Sequence, residues 1–574
     1  MQRFLLLAIV IPLAFKAVRP TAQSSFEWWT TDSLSKIRPD DKAPETAKNP
    51  AQLYASRNEF ESFQVIFRAE GQNIQGADME VSDLKNPRGG QIPKANITIY
   101  FERYLDLPQP SSIDGAAGEW PDPLIPRIDR YAKEKRNAFP FSLTSGRNQP
   151  IWIEVYVPRQ TPPGNYEGNL AFQIHGKTKA NIPLTLRVWN FTLPSTSSFP
   201  TTFGFNGLTA VRQHLGKYTS DADIRRFTAL YRKAALWHRI SLHGGSMVPP
   251  RFSFEGTRIN VDWTDYDAEL SPFLDGNAIP SDEPLYGAKA TTVGMRTPPS
   301  LKDDQQKLLY WKALATHFRY RGWFSRLFNY LRDEPKPENF DEVLHEAQLV
   351  HKADSQIRNL VTAPLHKEWS GAIDIWTPLI NCFEWKPWSQ GFCIPMVSRS
   401  GYEEEIAKGA DLWWYQSCAS HGCSIVGGDY YRGWPSYMID ASGVSNRIMP
   451  WLAWKYDIRG ELYYNIDEMY SRPNDAWNDV YLFGGNGDGT LVYPGRPSNI
   501  GGTTDIPIES IRLKIIRDGL EDYEYLRLLA RHADAPAVKS LVDMLVTNTY
   551  TFQKDPAKLY EVRRKIGEQL DQVE

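Results

Sequence analysis

Between about Glu27 and Leu193 the chain alternates apolar and polar positions in short runs cut by Pro and Gly. Among them are "FESFQVIFRA", "NITIYFERYL", "IWIEVYVP", "NYEGNLAFQIHG" and "NIPLTLRVWNFTLP". A period of two puts one side of each strand on a core and the other in water, so this stretch predicts an antiparallel β-sandwich. The "PPGNYEG" turn reads as a hairpin joining two of the runs, with Gly164 supplying backbone angles that other residues avoid. Residues 193 to 200, "LPSTSSFP", read as a linker.

Beyond the linker the texture changes. Apolar runs such as "TTFGFNG", "ISLHGGSMV", "RLFNYLRDE", "IRNLVTAPL", "IDIWTPLI", "DLWWYQSCA" and "GELYYNI" alternate with amphipathic stretches such as "DADIRRFTALYRKAALWHRI" and "DEVLHEAQLVHKA". Strand and helix in repetition imply parallel pairing with covering helices. About eight strands are expected, the third within the irregular segment 251–300, which favours a (β/α)8 barrel over an open doubly wound sheet. No G-x-G-x-x-G follows a strand, so nothing supports a dinucleotide fold. The ending, from "IESIRLKIIRDGLEDYEYLRLLARHA" on, is helical and charged and is expected to cap the barrel. The expected division is a signal peptide over 1–23, a β-sandwich over 24–197, a barrel over 198–505 and a helical region over 506–574.

A length of 574 residues agrees with several domains. Lys and Arg total 65 against 68 for Asp and Glu, a balance that gives no electrostatic reason for a nucleic-acid or anionic-membrane partner. The opening "MQRFLLLAIVIPLAFKAVRPTAQSS" has an Arg, an apolar run from Phe4 to Phe15 and small residues near Ala22, the pattern of a secretory signal. No later stretch reaches the roughly 18 apolar residues of a membrane helix. The mature protein is therefore expected to be exported, periplasmic or extracellular, with no membrane span; retention of the leader as an anchor is the alternative. Four cysteines, Cys382, Cys393, Cys418 and Cys423, cluster in one region and suggest one or two local disulfides, 382 with 393 and 418 with 423, or the crossed pairing. A zinc site is the rival, disfavoured because the spacing lacks paired C-x-x-C elements and an exported setting favours bridges; no metal or other cofactor is expected.

The chemistry concentrates in "RLFNYLRDEPKPENF", where Asp333 and Glu334 follow an apolar strand and precede Pro335. In a barrel the site is built at the C-terminal ends of the strands, and this pair stands at such an end. Pro335 disfavours helical geometry at Glu334 and is expected to hold it extended. Neighbouring carboxylates repel, so one can hold a proton while the other stays ionised, the division of labour that glycosidic cleavage requires. An acidic helix entry uses the same residues, and "PSDEPLYG" repeats the triplet at Asp282, Glu283 and Pro284 with no strand before it. Context, rather than the triplet, carries the inference.

The strand end "LRDEP", the turn "TPPGNYEG" before "LTLRVWNFTLP", and "GDGTLVYPG" followed by "ESIRLKIIRDGLEDYEYL" resemble glycoside hydrolase family 123 and its relatives, over nearly the whole chain after the signal. The resemblance implies an exo-acting β-N-acetylgalactosaminidase of sandwich-plus-barrel fold working by substrate-assisted catalysis. It assigns Asp333 to orienting and stabilising the substrate's acetamido group and Glu334 to general acid and then base. Departing from the family, "YYNIDEMY" puts Asp467 and Glu468 where a less acidic strand end is expected, which permits a glycosidase of other specificity with a carboxylate from the eighth strand.

Further substrate-binding candidates are Trp414 and Tyr415, which face opposite ways on one strand, Tyr415 being the candidate donor to the acetamido oxygen. Trp376 is a candidate stacking wall, His243 a candidate for a sugar hydroxyl, and Tyr493 a candidate pocket wall. The substrate expected is a glycan or glycoconjugate. A non-catalytic carbohydrate-binding protein on the same scaffold is the rival reading, and the oligomeric state is not legible.

Overall fold

The structure, a computed structural model, describes residues 25–44, 50–217, 220–243, 248–387, 393, 395–421, 423, 428–473 and 475–573. The expected signal segment lies outside the described residues. The chain is multidomain, with a β-rich N-terminal unit and a C-terminal unit of parallel strands and helices.

Two sheets build the first unit. One has the order Ser25–Asp32, Glu59–Glu70, Asn148–Val157, Ile97–Leu107, Gly118–Pro126, antiparallel throughout. The other runs Ala51–Arg57, Lys177–Thr192, Gly164–Ile174, Ile74–Val81, Phe141–Leu143. Its first pair is parallel, which corrects the wholly antiparallel expectation at that edge. Alternation drives the packing. Phe63, Val65 and Ile153 from one sheet meet Leu170, Phe172 and Leu184 from the other in one core, with Phe67 stacked on Phe172 at 4.0 Å.

The "PPGNYEG" turn is not a hairpin. It carries the chain from Asn148–Val157 in one sheet to Gly164–Ile174 in the other, and a hairpin would need both strands in one sheet. Gly164 has φ 143°, and a Cβ there would lie 2.5 Å from Asn86 Nδ2. The hairpin falls next, between Ile174 and Lys177, where His175 at φ 49° and Gly176 at φ 71° supply the left-handed turn that matches strand twist.

In the second unit Val293–Gly294, Leu327–Arg332, Arg358–Val361, Ile375–Trp376 and Asp411–Leu412 pair in that order, all parallel. A second parallel set orders Thr201–Phe203, Glu461–Tyr463 and Trp414–Tyr415. Single parallel bridges add Leu242 beside Phe203 and join Leu379 to Tyr415. The segment read as irregular holds the hairpin Arg251–Glu255 with Arg258–Asp262 and the helix Thr264–Asp275 before its short strand Val293–Gly294. Strand side chains Phe328, Leu360, Ile375, Trp413, Tyr415 and Leu462 form a core of their own, separate from the larger core under the helices.

The helix Ile511–Leu529 is no surface cap: it is buried along nearly all its length between the two units. Its charged face pairs on every side. Arg512 grips Asp122 through two bonds of 3.0 and 2.8 Å, Arg517 meets Glu154 at 2.6 Å, Glu521 meets Arg239 at 3.0 Å, and Asp522 meets Arg447 at 2.7 Å. Buried charges persist only when paired, and removal of one partner strands the other. Asp122→Asn should therefore cost about 3–5 kcal/mol of stability, measured by denaturant unfolding.

Candidate active site

A register shift creates the site. Phe328, Asn329 and Tyr330 stand opposite Arg358, Asn359 and Leu360, but Arg332 then stands opposite Val361, which leaves Leu331 as the extra residue of a bulge. Bulges re-aim side chains. Unbroken alternation would send Tyr330 and Asp333 to opposite faces; the extra residue returns Asp333 to the side of Tyr330, whose hydroxyl donates to Asp333 Oδ1 at 2.7 Å. Arg332 pairs with Glu342 at 2.6 Å.

The neighbouring strands complete the arrangement. Thr362, just after Arg358–Val361, donates its hydroxyl to the same Asp333 oxygen at 3.0 Å and accepts the Glu334 N–H at 2.8 Å. Tyr415 donates to Glu334 Oε1 at 2.6 Å. Burial pushes the phenol pKa values of Tyr415 and Tyr330 well above the ordinary 10.0, and the nearby carboxylates push the same way, so both remain proton donors at any working pH. Asp333 and Glu334 are solvent-exposed, whereas Thr362 and Tyr415, which hold them, are buried.

Glu334 is not extended. Its φ is 40°, in the left-handed region: Pro335 closes the right-handed helical region to it, and the Thr362 contact holds the residue on the other side. A non-glycine residue there stores about 1–3 kcal/mol. Glu334→Gly and Glu334→Ala both remove the carboxylate, but the glycine variant should be the more stable of the two by about 1 kcal/mol, read from paired thermal melts.

His243 stands beside this group, its ring edge-on to Tyr330 at 6.0 Å. Loss of hydration pushes its pKa down to about 4, so the imidazole is neutral, and its Nδ1 has no hydrogen-bond partner among the described residues. The structure thus brings together Asp333, Glu334, Tyr415 and His243. Tyr330 and Thr362, absent from the sequence candidates, join them. Only the alternation Phe328, Tyr330 and Leu360, Thr362 could have pointed to these two, and the bulge hides which carboxylate they meet.

The other candidates hold other partners. Trp414 is 0% exposed and packs edge-on to Phe383 at 5.6 Å, because alternation turns Trp413 and Tyr415 to the strand core and Trp414 to the helices. Trp376 is buried against Trp369 for the same reason, so neither tryptophan forms a stacking wall. Tyr493 is buried and donates to Asp122, in the contact between the two units. Glu468 holds Arg472 at 2.9 Å and accepts from Asn465 at 2.8 Å. Asp282 lies exposed in a turn, and Glu283 pairs with Lys233 at 2.8 Å.

Asp467 is 1% exposed and accepts from the Asn206 N–H and the Thr209 hydroxyl, each at 3.2 Å. Loss of hydration raises its carboxyl from 3.8 to about 8. Between those values the folded chain keeps a proton that the unfolded chain has released, so stability falls as pH rises through the window. Asp467→Asn cannot ionise. Relative to the parent it should change little near the lower end and gain stability steadily towards the upper end, measured by denaturant unfolding across pH.

Cys382 is bonded to Cys393 and Cys418 to Cys423. Among the described residues no group of three or more His, Cys, Asp or Glu is placed to hold a metal ion.

Paired carboxylates at a strand end, each fixed by its own hydroxyl donors, can supply a proton to a leaving oxygen and a negative charge to a developing cation. That is the equipment of a glycoside hydrolase, and the comparisons agree. Residues 297–529 match the model of the glycoside hydrolase 123 catalytic domain, and residues 29–174 match that of the glycoside hydrolase 123 N-terminal domain. The chain is a glycoside hydrolase and belongs to family 123. Among solved structures it is similar in fold to a family 123 glycoside hydrolase from Clostridium perfringens, whose description concerns glycolipid glycan hydrolysis: 13% identity, 95% of this chain and 98% of that one covered, TM-score 0.65. A family 39 glycoside hydrolase from Bacteroides cellulosilyticus aligns at 9% identity over 82% of each chain, with a TM-score of 0.30. No curated protein matches the sequence.

Proposed function

We propose that the chain is an exported, exo-acting β-N-acetylhexosaminidase of the β-N-acetylgalactosaminidase type, using substrate-assisted retaining catalysis. The observation that carries this reading is the adjacency of Asp333 and Glu334, each with its own hydroxyl donors. A retaining enzyme with its own nucleophile sets its carboxyls across the sugar, about 5–5.5 Å apart. Neighbours on one strand end instead suit two groups on one side of the bond, the acetamide and the leaving oxygen.

In this reading the acetamido oxygen attacks the anomeric carbon while Glu334 gives its proton to the departing oxygen. Asp333, with both protein hydroxyls on Oδ1, accepts the acetamido N–H and offsets the positive charge of the oxazolinium. Glu334 then takes a proton from water, which opens the ring at the anomeric carbon and restores the starting configuration. Tyr415 aims its proton at Glu334 in the free enzyme. Once Glu334 is protonated, that donor can turn to the acetamido oxygen. In this reading neutral His243, beside Tyr330, meets a sugar hydroxyl.

We further read the parallel strands as one (β/α)8 barrel with the carboxylates at its C-terminal mouth. Supporting this are the bridge from Leu379 to Tyr415 that joins the two parallel sets, the bridge that adds Leu242 beside Phe203, and the Thr291 N–H that donates to Ser241 Oγ at 2.7 Å, beside the remaining gap. The two local disulfides favour export, since such bonds persist in oxidising compartments. Asp467, sequestered and protonated below about 8, is a poor candidate for a nucleophile.

The test is a screen of aryl β-GalNAc, β-GlcNAc, β-galactoside and arabinoside substrates, followed by glycolipid glycans, with Glu334→Gln as control. Turnover confined to the acetamido sugars is expected. Equal turnover of the plain galactoside would reject the mechanism.

A further inference from the structure

We propose that Thr362 is a positioning residue for the reaction, a single buried hydroxyl that sets the geometry of both carboxylates at once. This rests on the assignment of Asp333 and Glu334 made above and adds a residue that touches neither sugar nor water in that scheme.

A threonine hydroxyl has one proton and two lone pairs. Here the proton goes to Asp333 Oδ1 at 3.0 Å, in preference to the Arg332 carbonyl at 3.5 Å, and a lone pair receives the Glu334 N–H at 2.8 Å. One atom therefore ties the side chain of Asp333 to the backbone of Glu334. Thr362 is 2% exposed, and its place is fixed by the parallel register that puts Val361 opposite Arg332. The backbone it grips is the one that needs gripping. Glu334 sits at φ 40°, which a non-glycine residue keeps only when its surroundings over-determine it. If the N–H were released, Glu334 could relax, and its carboxyl would swing relative to Asp333 and Tyr415. Tyr330 cannot replace the tie: its hydroxyl is 3.3 Å from Thr362 Oγ1 and its proton is on Asp333.

Thr362→Val keeps the shape of the side chain and removes both bonds, whereas Thr362→Ser keeps the hydroxyl. On an aryl β-GalNAc substrate the valine variant should lose about 100-fold in kcat with KM within about threefold of the parent, and serine should restore kcat to within about fivefold. A purely structural role would instead lower the melting temperature and the fraction of active protein while leaving kcat per active site unchanged, so kcat is normalised to sites titrated with a thiazoline inhibitor. If the valine variant does not fold, Thr362→Ala serves the same comparison. Valine within threefold of the parent, or a loss that serine does not restore, overturns the proposal while Asp333→Asn keeps its loss of about 10²–10³-fold on the same substrate. If Asp333→Asn retains parental activity there, and Glu334→Gln retains it on a phenyl glycoside with a poor leaving group, the catalytic assignment fails and the role of Thr362 falls with it.

Discussion

Asp333→Asn should lower kcat/KM on every aryl β-N-acetylhexosaminide by about 10²–10³-fold, whatever the leaving group. The asparagine oxygen can still accept from Tyr330 and Thr362, which hold Oδ1 at 2.7 and 3.0 Å, so the side chain stays in place. The charge is what disappears. As the oxazolinium forms, positive charge grows on the acetamide, and a fixed carboxylate stabilises that state more than the neutral substrate. A neutral amide offers no such difference. Because the loss concerns the sugar side of the breaking bond, a plot of log kcat/KM against leaving-group acidity should shift down in parallel.

Glu334→Gln should behave differently, and the contrast separates the two roles. A poor leaving group must be protonated as it departs, and general acid catalysis is worth about 10²–10⁴-fold. The loss on alkyl or simple phenyl glycosides should reach that range, while strongly activated aryl glycosides, which leave without a proton, should be nearly unaffected in kcat/KM. The variant should therefore steepen the leaving-group plot. Gln can accept from Tyr415 as Glu334 does at 2.6 Å, so the site's geometry is retained and the change isolates the proton.

Much of this was legible in the chain, and the losses have physical causes. The two-sheet unit followed from period-two alternation, as Phe63, Val65, Leu170 and Phe172 show. The "PPGNYEG" turn misled because a proline-glycine turn marks a change of direction and not the sheet that receives the strand. The strand end at Asp333 and Glu334 was visible because an apolar run stops there. Their partners were not. Tyr330 reaches Asp333 only through the bulge at Leu331, and a register shift leaves no residue signature. Trp414 and Trp376 were attractive as sugar platforms, yet the strands here are buried on both faces, so an aromatic at a strand end can serve the helix side equally well. The run Ile511–Leu529 was legible as helical and charged, while its burial and its pairing depended on the N-terminal unit bringing Asp122 and Glu154 against it.

The most direct test of substrate assistance varies the substrate's nucleophile and leaves the protein alone. Aryl 2-acylamido-β-glycosides carrying acetyl, fluoroacetyl, difluoroacetyl and trifluoroacetyl groups differ chiefly in how readily the amide oxygen donates electrons. If that oxygen attacks the anomeric carbon with Asp333 as its counter-charge, kcat/KM should fall steeply with each added fluorine. A flat series would contradict it, and would mean that a group other than the acetamide, an enzyme carboxylate or an activated water, forms the bond to the sugar.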